Sequence, residues 1–221
     1  MDAKTSDRVK VKRHPERGYY DRQTIDPILD EALVCHVSFI KGGEPRVLPT
    51  IHVRIDDAIY LHGAPAADML AAIGRADPIA VCVTLVDGLV LARSVYSHSL
   101  NYRSVVVYGH GEEVAERDEK MEVLRRLVEH VAPGRSQEAR MPNEAEIRST
   151  RVVRVRIEEA SAKVRSGPPK DDDADLDLPV WAGVLPFVPS WGPPVPDDLL
   201  LPGVPLSPSL SPEGPFAGAR P

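Results

Sequence analysis

The sequence predicts a mainly β fold with peripheral α-helices: a small antiparallel barrel of six or seven strands, closed or partly split, followed by a proline-rich tail. Three observations carry this. Short β-branched apolar runs follow one another, separated by tight polar turns at Gly42-Gly43, Asp56-Asp57 and Asp87-Gly88. Only a few stretches show helical periodicity, and they are short. Fourteen of the 22 prolines lie beyond Gly167, where regular structure is not expected.

The elements follow in order. Residues 1–20 form a basic arm with Lys4, Arg8, Lys10, Lys12, Arg13 and Arg17. Thr24 can cap a helix over Ile25 to Leu33, with Pro27 in the first turn, where its missing N–H costs little. Strands are expected from Val34 to Ile40, from Arg46 to Ile55 and from Ala58 to Gly63, the second alternating Ile51, Val53 and Ile55 against His52 and Arg54. Residues 66–74 read as a short helix stopped by Gly74. A hairpin then joins Ile79–Val86 to Leu89–Arg93 through Asp87-Gly88, and Ser104 to Tyr108 continues the sheet. Residues 117–131 carry the clearest helical stripe, Met121, Leu124, Leu127, Val128 and Val131, ended by Pro133-Gly134. Asn143 with Glu146 is a capping-box pair, and Arg151 to Ile157 alternates as a strand. The chain thus divides into the arm, a barrel domain over 21–166, an extended segment over 167–194 that packs on the barrel or on a partner subunit, and a flexible or wrapping tail over 195–221.

The formal charge of −6 resides in the tail, where eight carboxylates face Lys170 and Arg220 after Gly167, so the body is neutral. A neutral body lacks the basic face that a phosphate backbone requires, and nucleic acid is not an expected partner. No apolar run reaches the roughly 18 residues of a membrane span, and residues 2–18 lack the apolar region of a signal peptide. Cys35 and Cys82 sit in strand-like runs and read as reduced core residues of a cytoplasmic protein, with a disulfide left open. There is no Cys-x-x-Cys, His-Glu-x-x-His, glycine-rich dinucleotide fingerprint or phosphate loop, so neither a metal site nor a Rossmann site is expected.

The polar island His98, Asn101, Tyr102, Arg103 and Ser104 interrupts apolar strand sequence and gathers donors beside a cation, which suits an anionic small molecule. Around it run Leu-Val-Cys-His-Val (33–37), Leu-Pro-Thr (48–50), Tyr-Leu-His-Gly-Ala (60–64) and Asp-Gly-Leu-Val-Leu-Ala-Arg-Ser (87–94). His-Ser-Leu-Asn-Tyr-Arg-Ser-Val-Val-Val-Tyr-Gly (98–109), Ser-Ala-Lys-Val-Arg-Ser-Gly-Pro-Pro-Lys-Asp-Asp (161–172) and Leu-Pro-Val-Trp-Ala-Gly-Val-Leu-Pro (178–186) complete the series. In this order the chain resembles the pyridoxamine 5′-phosphate oxidase-like, FMN-binding split-barrel proteins, in the branch related to nitroimidazole resistance.

The resemblance implies a split barrel, a homodimer with FMN at the subunit interface, and oxidoreductase chemistry on a small organic substrate. It places Pro49, Thr50 and Ile51 along the flavin ring, and His62, Gly63 and Ala64 at the start of the phosphate loop. Arg103 and Ser104 become the leading phosphate ligands, with Asn101 and Tyr102 beside them. Lys163 and Arg165 alternate onto one face and can reach the cofactor or the acidic run Asp171–Asp173. Trp181 stacks on the flavin or plugs a dimer groove. His62 and His98 are the candidate catalytic groups, able to donate to a flavin carbonyl or to protonate a substrate. His36, His52 and His110 read as structural.

One departure matters. After His-Gly-Ala the family places a cation for the phosphate, whereas this chain has Pro65-Ala66-Ala67-Asp68-Met69-Leu70. A carboxylate beside a phosphate is repulsive. Either Arg75 or Arg103 compensates and FMN is kept, or FMN is weakly held, or the pocket is reassigned to another ligand, the alternative being a heme with His62 or His98 as axial ligand. A non-catalytic protein binding a ligand or partner through its tail is a third reading.

Overall fold

The computed structural model describes residues 6–73, 78–211, 213 and 214. Among these residues ten strands and four helices succeed one another: β1 (Gly18–Tyr19), α1 (Arg22–Glu31), β2 (Val34–Lys41), β3 (Glu44–Ile51), β4 (Val53–Ile55), β5 (Ala58–Gly63), α2 (Asp68–Ile73), β6 (Pro78–Leu91), β7 (Ser99–Glu113), α3 (Arg117–Val131), α4 (Glu144–Arg148), β8 (Arg151–Arg156), β9 (Glu159–Arg165) and β10 (Gly183–Pro186). The main path of the sheet is β3-β2-β6-β7-β8-β5-β4. Its two ends are consecutive in sequence, joined through His52, so the sheet curls round without a ladder between β3 and β4. This is the split, β-dominated architecture that the sequence predicts, with more strands than the six or seven expected.

The additional strands come from splitting and capping. The long β7 is where the sheet divides. It pairs with β6 along one edge, while its other edge takes β9 at Tyr102–Tyr108 and β8 at Gly111–Glu113. The expected strand Arg46–Ile55 is instead two, broken at His52, which turns inward and is fully buried. Its Nε2 lies 3.0 Å from the Leu29 carbonyl. A carbonyl only accepts, so Nε2 carries the proton and Nδ1, also buried and without a partner, is bare. His130 on α3 does the same for the Ala32 carbonyl at 3.0 Å, so two imidazoles cap the last turn of α1.

Three sequence expectations are corrected. The cap of α1 is Asp21, whose carboxylate accepts from the backbone N–H (2.8 Å) and hydroxyl (2.9 Å) of Thr24. The helix therefore starts earlier, and Pro27 falls inside it rather than in its first turn. Asp87-Gly88 is not a hairpin turn; β6 runs straight through it with a register shift between Val86 and Gly88. Ladders on both sides of β6 outweigh the local turn preference, and the glycine serves close approach: a Cβ at Gly88 would lie 2.8 Å from the Leu185 carbonyl of β10. The Gly42-Gly43 turn is as expected, with φ of 62° and 80°, the left-handed pair that a two-residue hairpin needs.

Two cores result. The larger packs α1 and α2 into the barrel through Ile25, Leu29, Leu70 and Ile73 against Val37, Leu61, Val81, Val83 and Val107. The smaller packs Val123 and Leu127 of α3 on Val53, Tyr60 and Val152. The described part of the basic arm, from residue 6 onward, is docked: Val9 is buried, and Arg8 lies 4.5 Å over the Tyr108 ring and 3.2 Å from Glu159. Beyond β9, the 167–194 segment adds β10 to the edge of β6. Residues 195–211 run on through turns at 197–200 and 201–204 to a 3₁₀ turn at Pro208–Leu210.

Candidate functional site

His62 is near the end of β5, and α3 crosses below it. Between them opens a cavity of about 230 Å³, lined by Ile51, His62, the α3 residues Leu124, Leu127, Val128 and Val131, and the segment Ser136 to Pro142. Its walls are largely apolar. Burial holds the His62 imidazole below its ordinary pKa, so the ring is neutral at pH 7. Its Nδ1 is buried and has no hydrogen-bond partner. Closed off from the cavity and unpaired, this nitrogen is a local cost to the fold. Two guanidiniums stand among the lining residues, Arg125 held by Glu122 at 2.6 Å and Arg140 held by Glu146 at 2.6 Å.

The residues singled out in the sequence fall into three places. Ile51 and His62 meet in this cavity, with Pro49 and Thr50 on the strand leading to it and Gly63 and Ala64 on the chain leaving it. Arg103 is elsewhere, in the middle of β7, and it is already engaged. Its guanidinium forks between Glu31 (Nη2 at 2.8 Å, with Nη1 on the other oxygen) and Asp87 (Nη2 at 2.7 Å, Nε at 3.1 Å). Hydrogen bonds to Glu31 and then Asp87 raise its pKa further, so the charge is fixed. Ser104 donates weakly to the Lys163 carbonyl at 3.4 Å, and Lys163 faces Ser104 across the ladder. Tyr102 stands one position before Arg103, half-buried.

The third place is a turn clamp. Arg165 is buried and bonds Asn101 Oδ1 and the carbonyls of Gly167 (3.1 Å) and Pro168 (3.2 Å), while Asn101 Nδ2 donates to Gly167 at 3.2 Å. Asn101 and Arg165 thus anchor the chain leaving β9. The acidic run is reached by a different cation, Arg93, whose guanidinium lies 2.8 Å from Asp171. His98 is exposed, its Nδ1 2.8 Å from the Ser94 carbonyl, and does not line the His62 cavity. Trp181 is 68 % exposed and folds over its neighbour Gly183, where a Cβ would lie 2.8 Å from the indole. Arg75 is outside the described residues. His36 and His110 are exposed on their strands, His110 beside Glu158.

The cavity wall built by α3 and Ser136–Pro142 was not foreseen. The stripe on α3 reads as barrel packing, yet Val128 remains 36 % exposed, because half of the stripe overhangs the opening. Among the described residues no group of three metal-ligating side chains converges, and no helix is long and apolar enough to cross a membrane. Cys35 and Cys82 are both free thiols.

Comparison with known proteins places this geometry. The family model described as pyridoxamine 5′-phosphate oxidase matches residues 21–164. The structure of the flavocytochrome Anf3 from Azotobacter vinelandii is 40% identical, with 92% of this chain and 95% of that one covered and a TM-score of 0.86. An FAD and heme binding protein from Mycobacterium smegmatis is 31% identical over 92% of this chain and 97% of its own, with a TM-score of 0.84. A protein from Bacteroides thetaiotaomicron described in connection with 5-nitroimidazole antibiotic resistance shares the fold, at 23% identity over 66% of this chain and 86% of that one, with a TM-score of 0.57. No curated protein matches in sequence. With a family model covering well over half its length and two such extensive likenesses, the chain belongs to the pyridoxamine 5′-phosphate oxidase-like split-barrel family.

Proposed function

We propose that this protein is an oxidoreductase of the flavocytochrome kind, binding a heme at the His62 cavity and a flavin on the adjoining sheet edge. The observation that carries the reading is the neutral, half-buried His62 imidazole lining an apolar cavity. An axial ligand must be unprotonated, and burial supplies that form. The apolar walls suit a macrocycle, while Arg125 and Arg140 at its rim are already paired with Glu122 and Glu146. The two extensive structural likenesses are to a flavocytochrome and to an FAD and heme binding protein, which favours this reading over FMN alone.

The cavity is smaller than the roughly 300–1,000 Å³ of typical small-molecule sites, so one chain would enclose only part of such a group. That supports a homodimer, the second copy covering the remainder. β3 is an edge strand whose Val47 and Leu48 are exposed, which gives a second copy an apolar face and a flavin ring a row of unpaired backbone groups. Arg103 and Arg165 are committed to protein partners. Lys163, opposite Ser104, is therefore the cation we assign to the flavin phosphate. When bound, the flavin and heme would supply electron transfer to or from a small organic substrate, and the chain supplies orientation and exclusion of water.

The absorbance spectrum of the protein with added hemin and flavin tests this. Wild type should show a Soret band together with flavin absorbance, and His62→Ala should lose the first and keep the second. No Soret band in wild type, or one that survives His62→Ala unchanged, refutes the heme assignment.

A further inference from the structure

We propose that residues 207–209 of the tail are a strap that holds one wall of the His62 cavity shut, so that its release exposes His62. As a route by which access to a heme would be controlled this rests on the reading above; as a statement about His62 and solvent it does not.

The wall is the segment from Arg135 to Pro142, of which Ser136, Ala139, Arg140, Met141 and Pro142 line the cavity. It has little regular structure, a single 3₁₀ turn over Arg135–Gln137, entered through Gly134 at φ 85°. Such a segment needs outside anchors to keep one conformation. One anchor comes from α3: the Glu129 carboxylate accepts from the backbone N–H groups of Gly134 (2.7 Å) and Ser136 (3.0 Å). This pins the beginning of the wall, and the ion pair of Arg140 with Glu146 at 2.6 Å ties its far end to α4.

The middle of the wall is anchored from roughly 70 residues away in sequence. Glu138, in the middle of the wall, accepts from the Ser209 backbone N–H at 2.7 Å, from the Ser209 hydroxyl at 3.1 Å, and from the Ser207 hydroxyl. Arg135 closes the group, with Nη1 2.8 Å from Ser207 Oγ and 2.9 Å from Glu138. Ser209 is 2 % exposed in a tail whose neighbours are mostly open to solvent, so this short turn is docked while the chain leading to it is not. Together these donors lower the pKa of Glu138, which keeps it an acceptor at neutral pH. Immediately after Glu138 the wall turns into the cavity lining. A displacement of Glu138 therefore moves Ala139 to Met141, the residues across from the imidazole.

The tail is well suited to reversible holding. From Pro189 to Pro208 it carries seven prolines besides Gly192 and Gly203, and it adds no strand to the sheet beyond β10. Its hold on the wall is four hydrogen bonds, three at the Glu138 carboxylate and one from Arg135 to Ser207, a small fraction of the stability of a domain. The barrel stays folded when it lets go.

The test uses the full chain with Glu138→Ala, and separately with Ser207→Ala and Ser209→Ala combined. Two readouts are taken: hydrogen exchange of the amides over 135–142, and the rate at which diethyl pyrocarbonate carbethoxylates His62, followed by peptide mass spectrometry with exposed His98 as internal reference. Loss of the strap should raise both rates by roughly ten-fold for Glu138→Ala and by less for the double serine variant, which keeps the Ser209 backbone bond, with His98 unchanged. Unchanged exchange in both variants overturns the strap. Faster exchange with an unchanged His62 rate overturns its control of the cavity. A missing Soret band in wild type would sink the heme reading and leave these two outcomes to judge the strap.

Discussion

Acid should destabilise this protein through His52, and the size of the effect follows from where that ring lies. His52 is fully buried between the Leu29 carbonyl and the His130 ring, whose centroid is 5.6 Å away. Burial pushes its pKa down from 6.5 to about 4, against the smaller opposing pull of the Leu29 hydrogen bond. In the unfolded chain the same ring titrates near 6.5. Above that value neither state binds the proton, and the contribution to stability is complete. Between 6.5 and about 4 the unfolded chain holds a proton that the folded one refuses, so stability falls as the pH is lowered, by at most ~1.4 kcal/mol per pH unit. Over the whole window the loss is ~3 kcal/mol, a large share of the 5–15 kcal/mol typical of a domain. The assay is urea unfolding at intervals from pH 8 to pH 5, in wild type and in His52→Gln, whose amide can still donate to Leu29 but does not titrate. Wild type should lose stability more steeply than the variant below pH 6.5. Equal slopes would refute the claim that this ring is held neutral. His62 is shifted in the same direction by burial, so the variant should retain a residual slope that His62→Gln removes.

The other predictions concern the ladder, the clasp and the thiols. Gly109→Ala drives a methyl into the Arg156 carbonyl, which as backbone has little room to yield, and should cost about 1–3 kcal/mol in urea unfolding. Arg103→Ala leaves Glu31 and Asp87 facing one another; the site is partly exposed and solvent-screened, so a loss of about 1–2 kcal/mol is expected at pH 7. Urea midpoints of wild type and variant at pH 7 measure it. Burial raises the Cys35 thiol to about 12 and also raises Cys82, so native protein should react slowly with a disulfide reagent at pH 8, while unfolded protein titrates both thiols at once.

What the sequence made legible was whatever depends on periodicity and on local caps. The stripe from Met121 to Val131 gives α3 with the expected bounds, and Asn143 with Glu146 forms the capping box on α4. The alternating runs gave the mainly β class. Features set by distant partners were not legible. Asp87-Gly88 has turn composition, but the ladders from β7 on one side and β10 on the other straighten it. His52 reads as the outward half of an alternation, yet it turns inward because the last turn of α1 needs a donor. His62 was identified from its motif, whereas the cavity beside it depends on α3 and on a wall held by residues from the end of the chain.

Arg103 shows why charge recognition is the hardest property to read from a chain. A guanidinium grips a phosphate and a carboxylate with the same planar fork, so a motif that presents Arg beside Ser is compatible with either partner. In this fold the helix C-terminus brings Glu31 to one side of Arg103, and the bulged strand brings Asp87 to the other. Both carboxylates arrive by tertiary contact, from positions 72 and 16 residues distant. An anion that claimed Arg103 would have to separate it from two charge-assisted partners and leave them facing one another. Lys163 sits on the neighbouring strand without that obstacle. Substituting Lys163→Ala should therefore weaken flavin uptake more than it lowers stability, whereas Arg103→Ala should do the reverse. Paired measurements of flavin affinity and urea midpoint separate the two residues, and a larger affinity loss at Arg103 would return it to the role its motif suggests.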